Sequence, residues 1–353
     1  MPPIARRADD TDRPAWDAFV AARPEADLLQ AWGWGACTAL ADERPVRILV
    51  EDGGRIRGCA QVLMRTAPFG RQLAYVPHGP VWDRSASDAD RIFAWLIQGL
   101  RTLGRRERAI VVKLDPRAEP GELLDFARLA AEHGLRRAPD LQAPTTRIVD
   151  LLDGGAELEA SWHADARRLS KRAAREGTAV TISRTPDVAE LSVLHQLLTD
   201  VAEHADFRVR TPEFLQRLAT EFSAGDGWYL GIARVDGTPI AAMAFPRLGD
   251  RAYYLYGALR RDERYKHNYG SHAVMAEMLR SLAADGCPSV DMWGVVEPDD
   301  PDADPAWKGF SDFKRTFGGM PVRHPGLYDL VTDAFWYRVR NVRERLQKSP
   351  WRR

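Results

Sequence analysis

The segment Phe313-Lys314-Arg315-Thr316-Phe317-Gly318-Gly319 sets Lys314 between two aromatic side chains, just ahead of two glycines that let backbone approach closely. A fixed cation aimed at an oxygen that turns negative in an acyl transfer is worth roughly 3–4 kcal/mol, usually the largest catalytic contribution. On the residues alone, a surface lysine on a short helix with core phenylalanines is the commoner arrangement. Asp115, ending an apolar run before Pro116, is placed to orient a nucleophile or simply to close a strand, with equal weight. Between 157 and 176 the spacing predicts a helix on which Arg167, Lys171 and Arg175 share one face and Arg168 with Arg172 the next. Five cations beside only Asp165 and Glu176 suit phosphates, although a solvated face is the default.

The elements that must position these residues occur twice. Arg47 to Leu63 reads as a strand, an acidic-Gly turn at Asp52-Gly53 and a second strand. A break at Gly70-Arg71, a strand ending Leu73-Ala74-Tyr75-Val76, a helix near 88–103 and a strand from Ile110 to Leu114 follow. The order returns with Leu230 to Val235, the turn Asp236-Gly237 and Ile240 to Phe245. It continues with a break at Gly249-Asp250, a strand Tyr253 to Tyr256, a helix near 269–284 and a strand Val290 to Trp293. Asp-Gly between apolar runs is a strong hairpin signal. Its recurrence in one element order predicts two tandem α/β (α+β) domains over 1–150 and 151–320, with function expected where they meet. The terminal stretch 321–353, helical from Ala334 to Gln347, is expected to pack back on the first domain.

Bulk properties narrow the class. The 353 residues suit two domains, and an apolar content of 45% supports true cores. A net charge of zero argues against indiscriminate nucleic-acid binding. From Phe335 to Arg353, however, seven Lys or Arg face the single acid Glu344. That tail, with Trp351, suits an anionic membrane surface or is a frayed end, with no strong preference. Cys37, Cys59 and Cys287 are odd in number and far apart, which fits a reducing compartment. No signal-peptide core and no run of about 18 apolar residues is present, pointing to a soluble, cytoplasmic protein with peripheral contact at the inner membrane face left open. Asp300-x-Asp302-x-Asp304 starts like a calcium loop but has Pro305 where glycine is needed and Ser311 in place of the closing Glu. His-Glu-x-x-His, Gly-x-Ser-x-Gly and P-loop patterns are absent, so neither a metal nor a bound nucleotide cofactor is indicated.

The element order of each repeat resembles the Gcn5-related acyltransferase (GNAT) fold. Its usual coenzyme loop, Gln/Arg-x-x-Gly-x-Gly/Ala, occurs in neither repeat; the nearest approach is Asn268-Tyr269-Gly270-Ser271. Five words in order then resemble the Fem family of peptidoglycan cross-bridge aminoacyltransferases. They are Leu28 to Gly35, Leu73 to Val81 (with Pro77-His78-Gly79-Pro80), Ser161-Trp162 leading into Arg167 to Ala173, Phe207 to Thr211, and Phe313 to Gly319. The resemblance runs from about Leu28 to about Tyr337, and it looks like the armless kind, without a coiled-coil arm.

It implies transfer of an amino acid from aminoacyl-tRNA, as co-substrate and with no cofactor, to a lipid-linked or UDP-linked muropeptide. It also implies that Lys314 stabilises the oxyanion and that Phe313, Arg315 and Trp34 face the substrates. Arg210 and Phe214 match an Arg-x-x-x-Tyr pair that holds the acceptor diphosphate, for which a planar arginine fork is suited. Here the tyrosine is Phe214, and a lysine expected four residues after Trp34 is Thr38. Tyr256 and His78 are further substrate-side candidates, Asp115 a second catalytic one, and the 167–175 helix a surface for tRNA. Two alternatives stay open: an N-acyltransferase using acyl-CoA or another activated donor, and a doubled domain that only binds a cell-wall precursor or polymer.

Overall fold

The computed structural model describes residues 4–119, 125–151, 155–203, 208–223, 227–300 and 305–347. Phe207, most of the Pro-Asp loop after Asp300, and Trp351 lie outside them. The chain divides into two units, residues 1–144 with 323–353 and residues 145–322.

In the first stretch, β1 (Ile4–Arg7), α1 (Arg13–Ala21) and α2 (Trp32–Thr38) lead into the hairpin β2 (Arg44–Asp52) and β3 (Arg55–Ala67). Then come β4 (Arg71–Val76), β5 (Val81–Trp82), α3 (Ala89–Arg106), β6 (Ala109–Leu114), α4 (Phe126–Glu132) and β7 (Arg136–Arg137). The second unit begins with β8 (Thr145–Asp150), α5 (Gly155–Ser161), α6 (Ala164–Arg175), β9 (Ala179–Ser183), α7 (Val188–Ala202) and α8 (Pro212–Ser223). Its hairpin is β10 (Trp228–Val235) with β11 (Thr238–Leu248), followed by β12 (Arg251–Tyr253), β13 (Tyr256–Leu259), α9 (Gly270–Ala284) and β14 (Ser289–Asp291). After α10 (Lys308–Arg315) and β15 (Met320–Arg323), the chain adds β16 (Tyr328–Val331) and α11 (Ala334–Gln347).

The doubled pattern is borne out strand by strand. One sheet has the order β1-β2-β3-β4-β6-β16-β7 with β5 on β3; the other has β15-β8-β14-β12-β11-β10-β9 with β13 on β11. In each, a parallel pair (β4 with β6, β12 with β14) is flanked by antiparallel neighbours. Both hairpins turn through two positive-φ residues, Gly53-Gly54 and Asp236-Gly237, the turn whose twist matches the strands. The long helix of each repeat lies on its sheet: Ile92, Phe93, Leu96, Leu100 and Leu103 of α3 are buried, as are Val274, Met275, Met278, Leu279 and Leu282 of α9. Each such side chain contributes about 1.5–3 kcal/mol on burial.

The two sheets differ in what fills the place beside β6 and β14. In the second it is β8, just upstream of that unit's helices (Val149 opposite Val290). In the first it is β16, from the far end of the sequence (Leu330 opposite Val112). Strand 145–150 therefore pairs in the second sheet, and β15 joins β8 there, so the stretch after 320 serves both sheets.

Three elements depart from expectation. The helix foreseen over 157–176 is two helices, because His163 is extended (ψ 148°), its Nδ1 accepts from Asp165 N, and its own N–H bonds Thr316 O at 2.8 Å. The strand foreseen over Tyr253 to Tyr256 is β12 and β13, because β11 pairs with each in turn along its length. Tyr256 thus opens β13 opposite Ala244 instead of ending β12. The strand after Val290 stops at Asp291, since Trp293 turns at φ 60°.

Candidate active site

In both repeats buried polar residues gather near the carboxyl ends of the parallel pair. In the second unit, α10 supplies the first of them. Ser311, Lys314 and Arg315 lie three and four residues apart, hence on one helix face. All three bond the segment that follows β14. Val296 N donates to Ser311 Oγ at 3.0 Å, Lys314 Nζ donates to Gly294 O at 2.8 Å, and Arg315 Nη1 donates to Val296 O at 2.7 Å. The Lys314 ammonium also lies 5.2 Å from the Tyr254 ring centre and 5.0 Å from that of Phe310.

Lys314 is only 7% exposed. Burial pushes its pKa down from 10.5 to about 7, against the opposing charge of Asp291. Asp291 is fully buried and accepts from Trp293 N at 2.7 Å and from the Thr146 hydroxyl, which also reaches Trp293 O at 3.0 Å. The carboxylate therefore fixes the turn that carries the Gly294 carbonyl.

The glycines after Lys314 are bound as tightly. Gly318 and Gly319 sit at φ 85° and 80°, and a Cβ on Gly319 would stand 2.8 Å from the Ile148 carbonyl oxygen. Arg147 donates to Gly318 O (3.1 Å) and Gly319 O (2.6 Å) and pairs with Glu297 at 2.8 Å. Phe313 meets His272 edge-on at 5.1 Å, and Phe317 meets the buried Trp162 at 5.2 Å. Burial lowers the His272 pKa to about 4, which keeps that ring neutral.

The first unit holds a second buried cluster. Asp115, one residue past β6, accepts from Tyr75 Oη (2.6 Å) and His78 N (2.5 Å), and burial pushes its pKa up to about 7. The His78 ring pairs with Asp27, which also takes Arg117 Nη1 at 2.8 Å. Burial would raise the Asp27 pKa, but the charges of His78 and Arg117 hold it below the ordinary carboxylate value. Gln30 ties the neighbourhood together, donating to Pro77 O (2.5 Å) and accepting from Gln61 N (2.8 Å). The Leu28-Leu29-Gln30 word is thus a strut that holds the His78 turn against β3.

The remaining candidates separate by role. Arg315 is engaged by Val296 and Asp312, so it clamps α10. Trp34 is buried in α2, and Thr38 is buried with its hydroxyl on Gly35 O at 3.2 Å. Phe214 is core, with the Arg210 guanidinium 4.7 Å above its ring. Tyr256 is half-buried. Among the basic residues of α6, Arg167 caps the end of α5 through the carbonyls of Ala160 (3.1 Å) and Trp162. Arg168 pairs with Asp165 at 2.8 Å and Arg172 with Glu176 at 3.2 Å, while Lys171 and Arg175 are exposed. Sequence reasoning missed Asp291, Gly294, Arg147, Asp27 and Arg117. The one local signal among them was Asp27, whose side chain accepts from Leu29 N as a helix cap.

Asn268-Tyr269-Gly270-Ser271 leads into α9 with a single glycine, and packing accounts for it. Tyr269, at φ 48°, precedes α9, and Gly270 lies where a Cβ would come within 2.9 Å of Ile240. The glycine serves helix-to-strand packing. Asn268 is tied off through Thr178 Oγ1 and Glu176 O, both at 2.8 Å. Among the described residues no group of three or more His, Cys, Asp or Glu could hold a metal, and no helix is long and apolar enough to cross a membrane.

A model of the acetyltransferase (GNAT) domain matches residues 160–315. The lipid II:glycine glycyltransferase of Staphylococcus saprophyticus is 24% identical, covering 95% of this chain and 95% of its own. The crystal structure of FemX superposes with a TM-score of 0.82 at 19% identity, over 95% of this chain and 99% of FemX. A tandem GNAT protein from the clavulanic acid biosynthesis pathway superposes at 0.58 with 16% identity, over 94% and 98%. The structural likenesses establish the fold: two tandem GNAT domains.

Proposed function

We propose that this chain, a Fem-like acyltransferase of the tandem GNAT fold, moves an amino acid from aminoacyl-tRNA to an amine of a lipid-linked or nucleotide-linked peptidoglycan precursor. The observation that carries the reading is Lys314, a cation desolvated among rings, with Asp291 beside it and one hydrogen bond to backbone. The acceptor amine attacks the ester carbonyl. A C–N bond forms, the C–O bond to the tRNA ribose breaks, and the amine proton ends on the departing ribose oxygen. Between those events the former carbonyl oxygen is an alkoxide. An ammonium already stripped of water stabilises it far more than a solvated one would, because the local dielectric is low and nothing need reorganise.

Asp115 is proposed to take up or orient the amine proton, its raised pKa matching a group that exchanges protons near neutrality. Arg210 is proposed to seat the acceptor diphosphate without a tyrosine beside it, since the matching position is the buried Phe214. The lack of the Gln/Arg-x-x-Gly-x-Gly/Ala coenzyme loop ahead of α9 supports aminoacyl-tRNA over acyl-CoA as donor.

Purified protein incubated with labelled aminoacyl-tRNA and muropeptide precursors tests the reading. Label appearing on the precursor, and lost in Lys314→Met, is the expected result. Consumption of acyl-CoA instead, or binding of precursor without turnover, refutes it.

A further inference from the structure

One face of α11 is apolar and open to solvent. Phe335, Val339 and Val342 follow one another at helical spacing and are 68%, 40% and 59% exposed, while Tyr337 on the opposite side is buried. The ridge continues off the helix. Phe69, 73% exposed at the tip of the β3–β4 turn, stacks on Trp336 with centroids 5.0 Å apart, and Phe335 meets Trp336 at 5.5 Å. Three rings from two separate elements thus form one strip, against the general avoidance of contiguous exposed apolar surface.

The flanks of this strip are cationic. Arg338 and Arg343 are exposed and, at 100° per residue, fall on opposite sides of the Phe335-Val339-Val342 line. Arg71 lies 5.3 Å over the Trp336 ring and pairs with Asp333 at 3.0 Å, which anchors the strip to the start of the helix. Across Ala334–Gln347 the sequence places four arginines against one glutamate. An apolar ridge bordered on both sides by long cationic stems is the pattern of a helix lying in the plane of a lipid interface, with arginines reaching the head groups. A protein partner would explain the apolar strip but not arginines on both margins.

We propose that α11 and the Phe69 turn form a docking surface for an anionic lipid bilayer. The surface is argued from these residues alone; only its purpose, meeting a lipid-linked acceptor, rests on the transferase reading.

Co-sedimentation of the full chain with vesicles tests it, comparing phosphatidylglycerol mixed into phosphatidylcholine with phosphatidylcholine alone. The vesicles carry neither donor nor acceptor, so loss of binding and loss of transferase activity are separate results. Wild-type protein is expected to partition to the phosphatidylglycerol vesicles and to be released by salt. Arg338→Ala with Arg343→Ala should weaken partition about 25-fold, at roughly fivefold per arginine near an anionic surface. Phe69→Ser with Phe335→Ser should weaken it at least about tenfold. These positions are exposed, so the variants should keep the wild-type circular dichroism and melting temperature. Equal binding to both vesicle types, or binding unchanged in both variants, overturns the proposal. So does a lipid-free dimer that Phe335→Ser dissociates in a protein that ignores vesicles, which would assign the face to a second copy.

Discussion

Replacing Lys314 by methionine keeps the length of the side chain and removes its charge. If the ammonium stabilises the oxyanion, kcat/KM should fall about 10²–10³-fold, the loss typical of one preorganised donor. The pH dependence carries more information. With the Lys314 pKa lowered to about 7, the competent cation disappears as pH rises, so wild-type kcat/KM should drop tenfold per unit above about pH 7. Methionine should abolish that falling limb along with the rate. Stability moves the other way. Between pH 7 and 10.5 the unfolded chain holds a proton on this lysine that the folded chain does not, so folding stability rises with pH through that window. The span from 10.5 to about 7 corresponds to about 5 kcal/mol, all of it disfavouring the fold below pH 7. Lys314→Met should therefore be more stable than wild type at pH 6, and the advantage should shrink by about that amount by pH 10.5. Chemical denaturation across pH and single-turnover transfer on the same samples measure both. A variant with full activity, or a wild-type rate that rises through pH 7 on account of Lys314, refutes the reasoning, the latter because it would make the neutral amine the working form.

Three further perturbations follow from the same geometry. Asp291→Asn removes the charge that opposes the lowering of the Lys314 pKa, so the falling limb should move to lower pH while most of the fold's stability is kept; a pH–rate profile reads this. Asp115→Asn should remove any rising limb near pH 7 that survives changes in the acceptor amine's own pKa, because burial places Asp115 at about 7. Gly319→Ala, with φ 80° and a Cβ forced to 2.8 Å from the Ile148 carbonyl oxygen, should lower stability by about 1–3 kcal/mol and activity with it, seen in thermal melts and transfer assays.

Much of the fold was legible because its signals are local. Two hairpin turns with glycine at a positive-φ position, and apolar runs of matching order, announced the repeat without any contact information. The helix break at Trp162-His163 was not legible, since it depends on Thr316 O and Phe317, about 150 residues away in sequence. The exchange that places β16 in the first sheet is likewise invisible to a window moving along the chain. At the candidate site, Lys314 stood out because aromatics and glycines flank it in sequence. Its real setting is made by Asp291, Gly294 and Tyr254, which chain separation hides. Residue type also misled in an instructive way. Arg167 and Arg315 carry charges that suit phosphate, yet each is spent on backbone carbonyls that the end of a helix or a turn leaves unpaired.

The central claim is that a desolvated Lys314 ammonium meets the anionic oxygen of the tetrahedral intermediate. Carbon-13 labelling of lysine Cε tests it most directly, since the chain has only six lysines and Lys314→Met identifies the signal. Titrated in the free protein, that resonance should report a pKa near 7. On binding a tetrahedral phosphonate analogue of the aminoacyl ester, the pKa should rise well above it, as an anion moves within reach. A Lys314 that titrates at about 10.5 with or without the analogue would contradict the account.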